Sequence, residues 1–152
     1  MSDQASNHSS PRAFFEADHR RCDALWVAVE GVADGKDTAA AASAWRAFSD
    51  AMHRHFRMEE EVLFPDLEAA TGMAGAGPTA VMRMEHDNMR AVLKDMEHAA
   101  SEERFQDLLD QGDTLLMLTQ QHNLKEEGVL YPMAGQVLDG RWQEMAKRLD
   151  TF

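Results

Sequence analysis

Cysteine is almost missing from this chain: Cys22 is the only one in 152 residues. No intramolecular disulfide can form, and nothing points to an oxidising compartment. No apolar run approaches the ~20 residues that span a bilayer, and the opening MSDQASNHSS has neither the basic start nor the apolar stretch of a secretory signal. The expectation is a cytoplasmic protein with no membrane partner. Clusters of Lys and Arg are also lacking. The formal net charge is -12, which argues against a phosphate-binding face, and no nucleic-acid partner is expected. Any long-range field would favour cations, a preference shared with many acidic proteins. Residues with β-branched side chains are sparse and period-2 alternation is absent, which removes the case for strands.

What remains is Ala, Leu, Met, Glu and Arg, the strong helix formers. Hydrophobic residues make up 44% and charged residues 28% of the composition, as in an ordinary globular domain, and the length supports one domain with one sizeable core. The fold class expected is all-α: a four-helix bundle running up, down, up, down. Residues 1–9 are polar and expected to form a flexible tail before a domain at 10–152. A first helix starts near Ser10 and Pro11, a hydroxyl cap before a first-turn proline, and ends around Gly31 to Gly35. Asp37 caps a second helix reaching about residue 70. The glycine-rich stretch TGMAGAGP, Thr71 to Pro78, is the clearest loop. A third helix runs from Pro78 to about Ala100, a fourth from about Glu102 into the 130s, and Asp139-Gly140 opens a short tail helix carrying Trp142, Met145 and Leu149. Pro65 and Pro132 fall within helical patterns and are expected to kink or terminate their helices.

The two segments HFRMEEEVLFP, from His55, and HNLKEEGVLYP, from His122, are nearly the same text 67 residues apart. At that offset also stand Pro11 and Pro78, His19 and His86, Glu59 and Glu126, Glu60 and Glu127, Leu63 and Leu130, and Pro65 and Pro132. The chain reads as a duplicated helical hairpin.

One HxxxE pair is a common surface i,i+4 interaction worth a few tenths of a kcal/mol. A repeated pair with a lone histidine upstream each time is a different matter. Residues four apart on a helix differ by about 40° and about 6 Å, so His55 with Glu59, and His122 with Glu126, share a face. Counting back from each hairpin turn brings His19 and His86 within a turn or two of the same level. Two hairpins folded together gather four histidines and two glutamates around one axis. Burying those carboxylates unpaired costs several kcal/mol each, a cost that divalent cations remove. The donors are all nitrogen and oxygen, which suits iron or manganese, with zinc a competitor. Six side chains fit two ions, with Glu59 and Glu126 bridging.

These residues resemble the hemerythrin-like, or HHE cation-binding, domains. The resemblance runs from about Phe14 to Pro132 and is carried by His19 in ADHRR, by HFRMEEEVLFP, by EHD around His86 and by HNLKEEGVLYP. It implies a four-helix bundle with a non-haem di-iron centre, two iron ions with room for a bridging oxo or hydroxo group. His19, His55, Glu59, His86, His122 and Glu126 would be the ligands. Two departures from the oxygen carriers matter. Arg90 stands where those carriers have a second third-helix histidine, and Glu126 and Glu127 replace their final His-x4-Asp arrangement. The resemblance therefore implies irons open to a small oxidant or gas rather than reversible oxygen transport. Three functions are carried forward. They are binding or sensing of dioxygen, peroxide or nitric oxide; an enzyme disproportionating peroxide or oxidising ferrous iron; and iron storage or a structural metal domain.

Other residues have weaker claims. Glu60 and Glu127 point about 100° away from their neighbours and suit supporting or surface roles. Glu16 and Asp23, about one turn from His19, could orient it or add an oxygen. Arg90 reads as an anion contact or a salt bridge, and Cys22 as small core filler. Met82, Met89, Met96 and Met117 read as adaptable core filler, His8, His53 and His98 as exposed, and Phe64 and Tyr131 as packing that closes one end of the bundle, with the phenol within range of a partner.

Overall fold

The computed structural model describes residues 4–152; Met1 to Asp3 of the expected tail lie outside the described residues. All regular structure among them is helical. Helix α1 spans Pro11–Val32 and begins as its sequence dictates: the Ser10 hydroxyl accepts the Ala13 N–H at 3.1 Å and Pro11 occupies the first turn. A short turn with Gly35 at φ 79° leads to α2, Thr38–Met58, capped by the Asp37 carboxylate on the Ala40 N–H at 3.0 Å. The same helical path continues through a π-turn, Glu59–Leu63, into α3, Phe64–Thr71. It stops at Gly72, whose φ of 71° is the left-handed conformation that closes helices.

The second half repeats this plan. Helix α4 spans Gly77–Ser101, α5 spans Phe105–Lys125, a π-turn covers Glu126–Leu130, and α6 spans Tyr131–Val137. Helix α5 starts at Phe105 rather than near Glu102. The Glu102 and Arg104 amides bond back to His98 and Ala99, which spends residues 102–104 on closing α4. Helix α7, Trp142–Leu149, is the tail helix.

Pro65 and Pro132 do not terminate their helices. Each follows a π-turn in which the amide before the proline reaches back five residues: Phe64 N–H to the Glu59 carbonyl and Tyr131 N–H to the Glu126 carbonyl. The wider turn accommodates a ring that would otherwise collide with the carbonyl four residues earlier.

Helix α1 packs on α2 and α4 on α5 as antiparallel hairpins, and α2 against α4 and α1 against α6 join the two. Each long helix carries an apolar stripe at spacings of three and four: Phe15, Cys22, Trp26 and Val29 on α1, and Met82, Met89, Leu93 and Met96 on α4. Two apolar clusters result. One holds Trp26, Trp45, Phe48, Met52 and Leu108; the other holds Phe14, Phe15, Leu63, Phe64 and Tyr131, sealed by Met145 and Leu149 of α7. Within the polar segment expected to be a flexible tail, Ala5 and His8 make contacts with that end: Ala5 is buried, its N–H bonds Asp150 at 2.5 Å, and the Trp142 indole bonds the His8 carbonyl at 2.7 Å. Met117 faces solvent rather than the core, since α5 turns Leu115 and His122 inward instead. His98 is exposed, whereas His8 and His53 are half-buried, edge-on to Phe14 and Phe56.

Candidate metal centre

Each buried stripe is interrupted near its middle by polar residues. His19 on α1, His55 on α2, His86 on α4 and His122 on α5 are buried, and Glu59 and Glu126, at the heads of the two π-turns, are fully buried. The structure brings all six together between the two apolar clusters. They form two groups that could hold a cation, His19, His55, Glu59 and Glu126 in one, Glu59, His86, His122 and Glu126 in the other. Within each group one donor atom per residue lies within 4.8 Å of the rest, and both glutamates belong to both groups.

The imidazoles are oriented from behind by four acids. Nδ1–H donates from His55 to Asp18 at 2.7 Å, from His122 to Glu85 at 2.8 Å, from His86 to Glu60 at 2.8 Å and from His19 to Glu127 at 3.0 Å. Asp18 and Glu85 come from the same hairpin as their histidine, while Glu60 and Glu127 reach across to the other. A carboxylate accepting from Nδ1 fixes the tautomer and leaves Nε2 as a lone pair aimed at the centre.

Sequence reasoning placed Glu60 and Glu127 in such a role but missed Asp18 and Glu85. The signal was there: in each repeat an acid immediately precedes the lone histidine, in ADHRR and in EHD. Tyr131 was also undervalued. Its phenol donates to Glu126 Oε2, lies 3.3 Å from Glu59 Oε2 and 3.1 Å from His19 Nε2, and is fully buried. Glu16 pairs with Arg12 at 2.7 Å, away from the centre. Arg90 clasps Glu60 through two nitrogens at 2.8 Å and is a salt-bridge arginine, not a free anion contact.

Without a cation the inward face is poorly satisfied. Glu59 Oε1, Glu126 Oε1, His86 Nε2 and His122 Nε2 are buried with no hydrogen-bond partner. They crowd one another nonetheless: Glu59 Oε1 is 2.7 Å from His55 Nε2 and 3.6 Å from His86 Nε2, and the Nε2 atoms of His19 and His55 are 3.1 Å apart. Lone pairs face lone pairs, which costs free energy unless a positive charge sits between them.

The electrostatics agree. Burial works against charge on His86, but Glu126, Glu59 and Glu60 outweigh it and raise its pKa to about 10. Burial likewise opposes the charged forms of His55 and His122, which facing carboxylates raise. Burial would raise Glu126, yet His122, His19 and His86 hold it well below the carboxylate range. Against the same penalty, His55 and Arg21 lower Asp18 to about 2, and His86 and Arg90 lower Glu60 to about 2. Burial beside Glu126 and Glu59 drives the Tyr131 phenol well above its usual value, so it stays a proton donor. Cys22, buried and pushed up to about 11, stays a thiol. Among the described residues no helix is long and apolar enough to cross a membrane.

The sequence matches the family model of the hemerythrin HHE cation binding domain over residues 10–134. Comparison with curated proteins and with solved structures yields no match.

Proposed function

The chain belongs to the hemerythrin HHE cation-binding domain family, and from that premise we propose that its buried cluster holds two iron ions and serves to bind or sense a small oxidant or diatomic ligand: dioxygen, peroxide or nitric oxide. The observation that carries this reading is the set of four Nε2 atoms turned inward, each with Nδ1 tied to an acid, around the orphaned Oε1 atoms of Glu59 and Glu126. Imidazole and carboxylate without thiolate match iron chemistry. Six donors shared by two ions leave coordination positions open to a small ligand. When bound, such a pair supplies exchangeable positions and two electrons.

The protein's own contribution is positioning and exclusion. The rings of Phe15, Phe56 and Phe64 pack against His55 and His86, keeping bulk water from the donors. Tyr131 holds Oε2 of Glu126 and so leaves Oε1 for the ion. The reading involves no nucleic acid and no membrane and places the protein in the cytoplasm.

Protein purified without added metal should contain close to two irons per chain, and its absorption spectrum should change on exposure to dioxygen, peroxide or nitric oxide. Iron-loaded protein with no such response to any of the three would sink the reading. Tyr131 favours a second one, peroxide disproportionation, because it sets a proton donor against Glu59 and Glu126, the two acids that would hold the ions. Steady oxygen evolution from peroxide, abolished by His86→Ala, would establish it.

A further inference from the structure

Two grooves of similar size flank the centre, and the duplication relates them. One, of about 600 Å³, lies between α1 and α5; the other, of about 670 Å³, lies between α2 and α4. Their charge balance differs: the first is net negative even with Arg20 on its wall, the second net positive. At the repeat-related positions Glu127 and Glu60, the second acid is clasped by Arg90, whereas the first faces Asp23, which stands where the repeat places Arg90. Among the described residues Glu127 bonds only His19, and Asp23 and Glu30 on the same groove have no ion-pair partner. The α2/α4 groove instead sets three cations, Arg46, Arg90 and Lys94, against two acids, Asp50 and Glu97.

Only the acidic groove leads inward. His19, its floor, is 5% exposed. His19, Asp23, Thr119 and Asn123 line both the groove and a small cavity beneath it, walled by His55 and His122, with room of about 10 Å³. His122, on that wall, has a buried Nε2 with no hydrogen-bond partner. On the other side Phe56, the repeat counterpart of Asn123, stacks on His86 at 4.4 Å and closes the equivalent path.

We infer that the α1/α5 groove is the route by which a divalent cation loads the centre, drawn by Asp23, Glu30 and Glu127 and admitted past Asn123. This rests on the metal-binding reading above and adds direction to it. A cleft with a net excess of one sign of charge, here Asp23, Glu30 and Glu127 against Arg20, raises the local concentration of the opposite ion and its rate of entry, an effect that salt screens.

The test is stopped-flow uptake of cobalt(II) by the metal-free full-length chain, with final stoichiometry measured on each sample. The Asp23→Asn/Glu30→Gln double variant should load on the order of 3–10 times more slowly at low salt, reach the same stoichiometry and lose its deficit near ~1 M salt. Asn123→Phe, copying the closed side, should slow loading at every salt concentration. Asp50→Asn, in the α2/α4 groove, should leave the rate unchanged. Loading of the double variant at the wild-type rate, or equal slowing by Asp50→Asn, would overturn the route while leaving the metal centre standing. A wild-type chain that takes up no cobalt at all would overturn both.

Discussion

His19 and His86 hold the same place in the two repeats, and their surroundings have diverged. His86 is sandwiched between Phe56 at 4.4 Å and Phe64 at 5.6 Å and is wholly shielded from solvent. At the matching positions around His19 stand Asn123 and Tyr131, and the acid behind it, Glu127, lacks the arginine that secures Glu60. Duplication thus supplies a symmetric set of donors, and later differences make one half apolar and closed, the other polar and approachable. The donors themselves have not diverged, because each sits on a buried stripe where both orientation and desolvation are fixed by packing.

Breaking what the halves share should cost most. Glu126 belongs to both groups, so Glu126→Ala should lower metal content to below one ion per chain, whereas His86→Ala should leave one, as read by elemental analysis after desalting. Ligand binding to the folded state alone adds about 4 kcal/mol at a thousandfold excess over Kd. Chelation should therefore lower the melting temperature of the wild type by on the order of 10 °C and that of Glu126→Ala hardly at all. Retention of two ions by Glu126→Ala would mean that the carboxylate is not shared.

The pH profile of the metal-free chain should come next in size. The His86 pKa is raised from 6.5 to about 10, so its contribution is full below pH 6.5 and is lost as pH climbs toward 10. Asp18 and Glu60, lowered from 3.8 and 4.5 to about 2, contribute above those ordinary values and lose their effect as pH falls toward 2. The metal-free chain should therefore be most stable between about pH 5 and 6.5 and lose several degrees of melting temperature by pH 9. Metal takes the place of those protons, so the loaded chain should not show the alkaline loss. Identical thermal curves for the two forms across pH 6.5 to 9 would contradict this.

The sequence made this comparison accessible because the helical stripe is periodic and the repeat is long. An offset of 67 residues aligned His19 with His86 and Glu59 with Glu126 before any coordinates. Helix starts were legible wherever a side chain caps them, at Ser10 and Asp37, and less so at Phe105, where backbone bonds closing α4 decide the boundary. The π-turns at Glu59 and Glu126 were not legible, since a five-residue hydrogen bond has no residue signature of its own; the proline six positions on signals a kink or an end and not a wider turn. Asp18 and Glu85 were not legible because a residue next to a histidine on a helix points about 100° away from it. That holds for its own histidine but not for the one on the neighbouring helix.

The acids behind the histidines offer a finer distinction between the halves. Removing a carboxylate that orients a metal-bound imidazole commonly costs 10–100-fold in affinity. Glu60→Ala should approach the upper end for the ion held by His86 and His122, since Glu60 is pinned by Arg90 and its side chain is 20% exposed. Glu127→Ala should fall near the lower end, because Glu127 is 37% exposed and water can replace it. Titration of metal-free protein with cobalt(II) reads both, and the reverse order would show that exposure does not govern the effect.

Tyr131→Phe makes the smallest change and the sharpest comparison, because it writes the Phe64 side onto its partner. Only an oxygen is removed, so no cavity of consequence opens, and the stacking against Phe15 at 5.5 Å persists. The loss is one buried hydrogen bond to a carboxylate, about 1.5–3 kcal/mol in the metal-free chain. In the loaded chain it should be smaller, since the ion then neutralises Glu126. Two ions should remain bound. What should change is the spectral response to peroxide or nitric oxide, since the Glu126 Oε2 that the phenol holds would be free to turn toward a bound ion. A response identical to that of the wild type would show that the difference between Tyr131 and Phe64 is packing alone, and that the approachable half owes its character to Asn123 and Asp23.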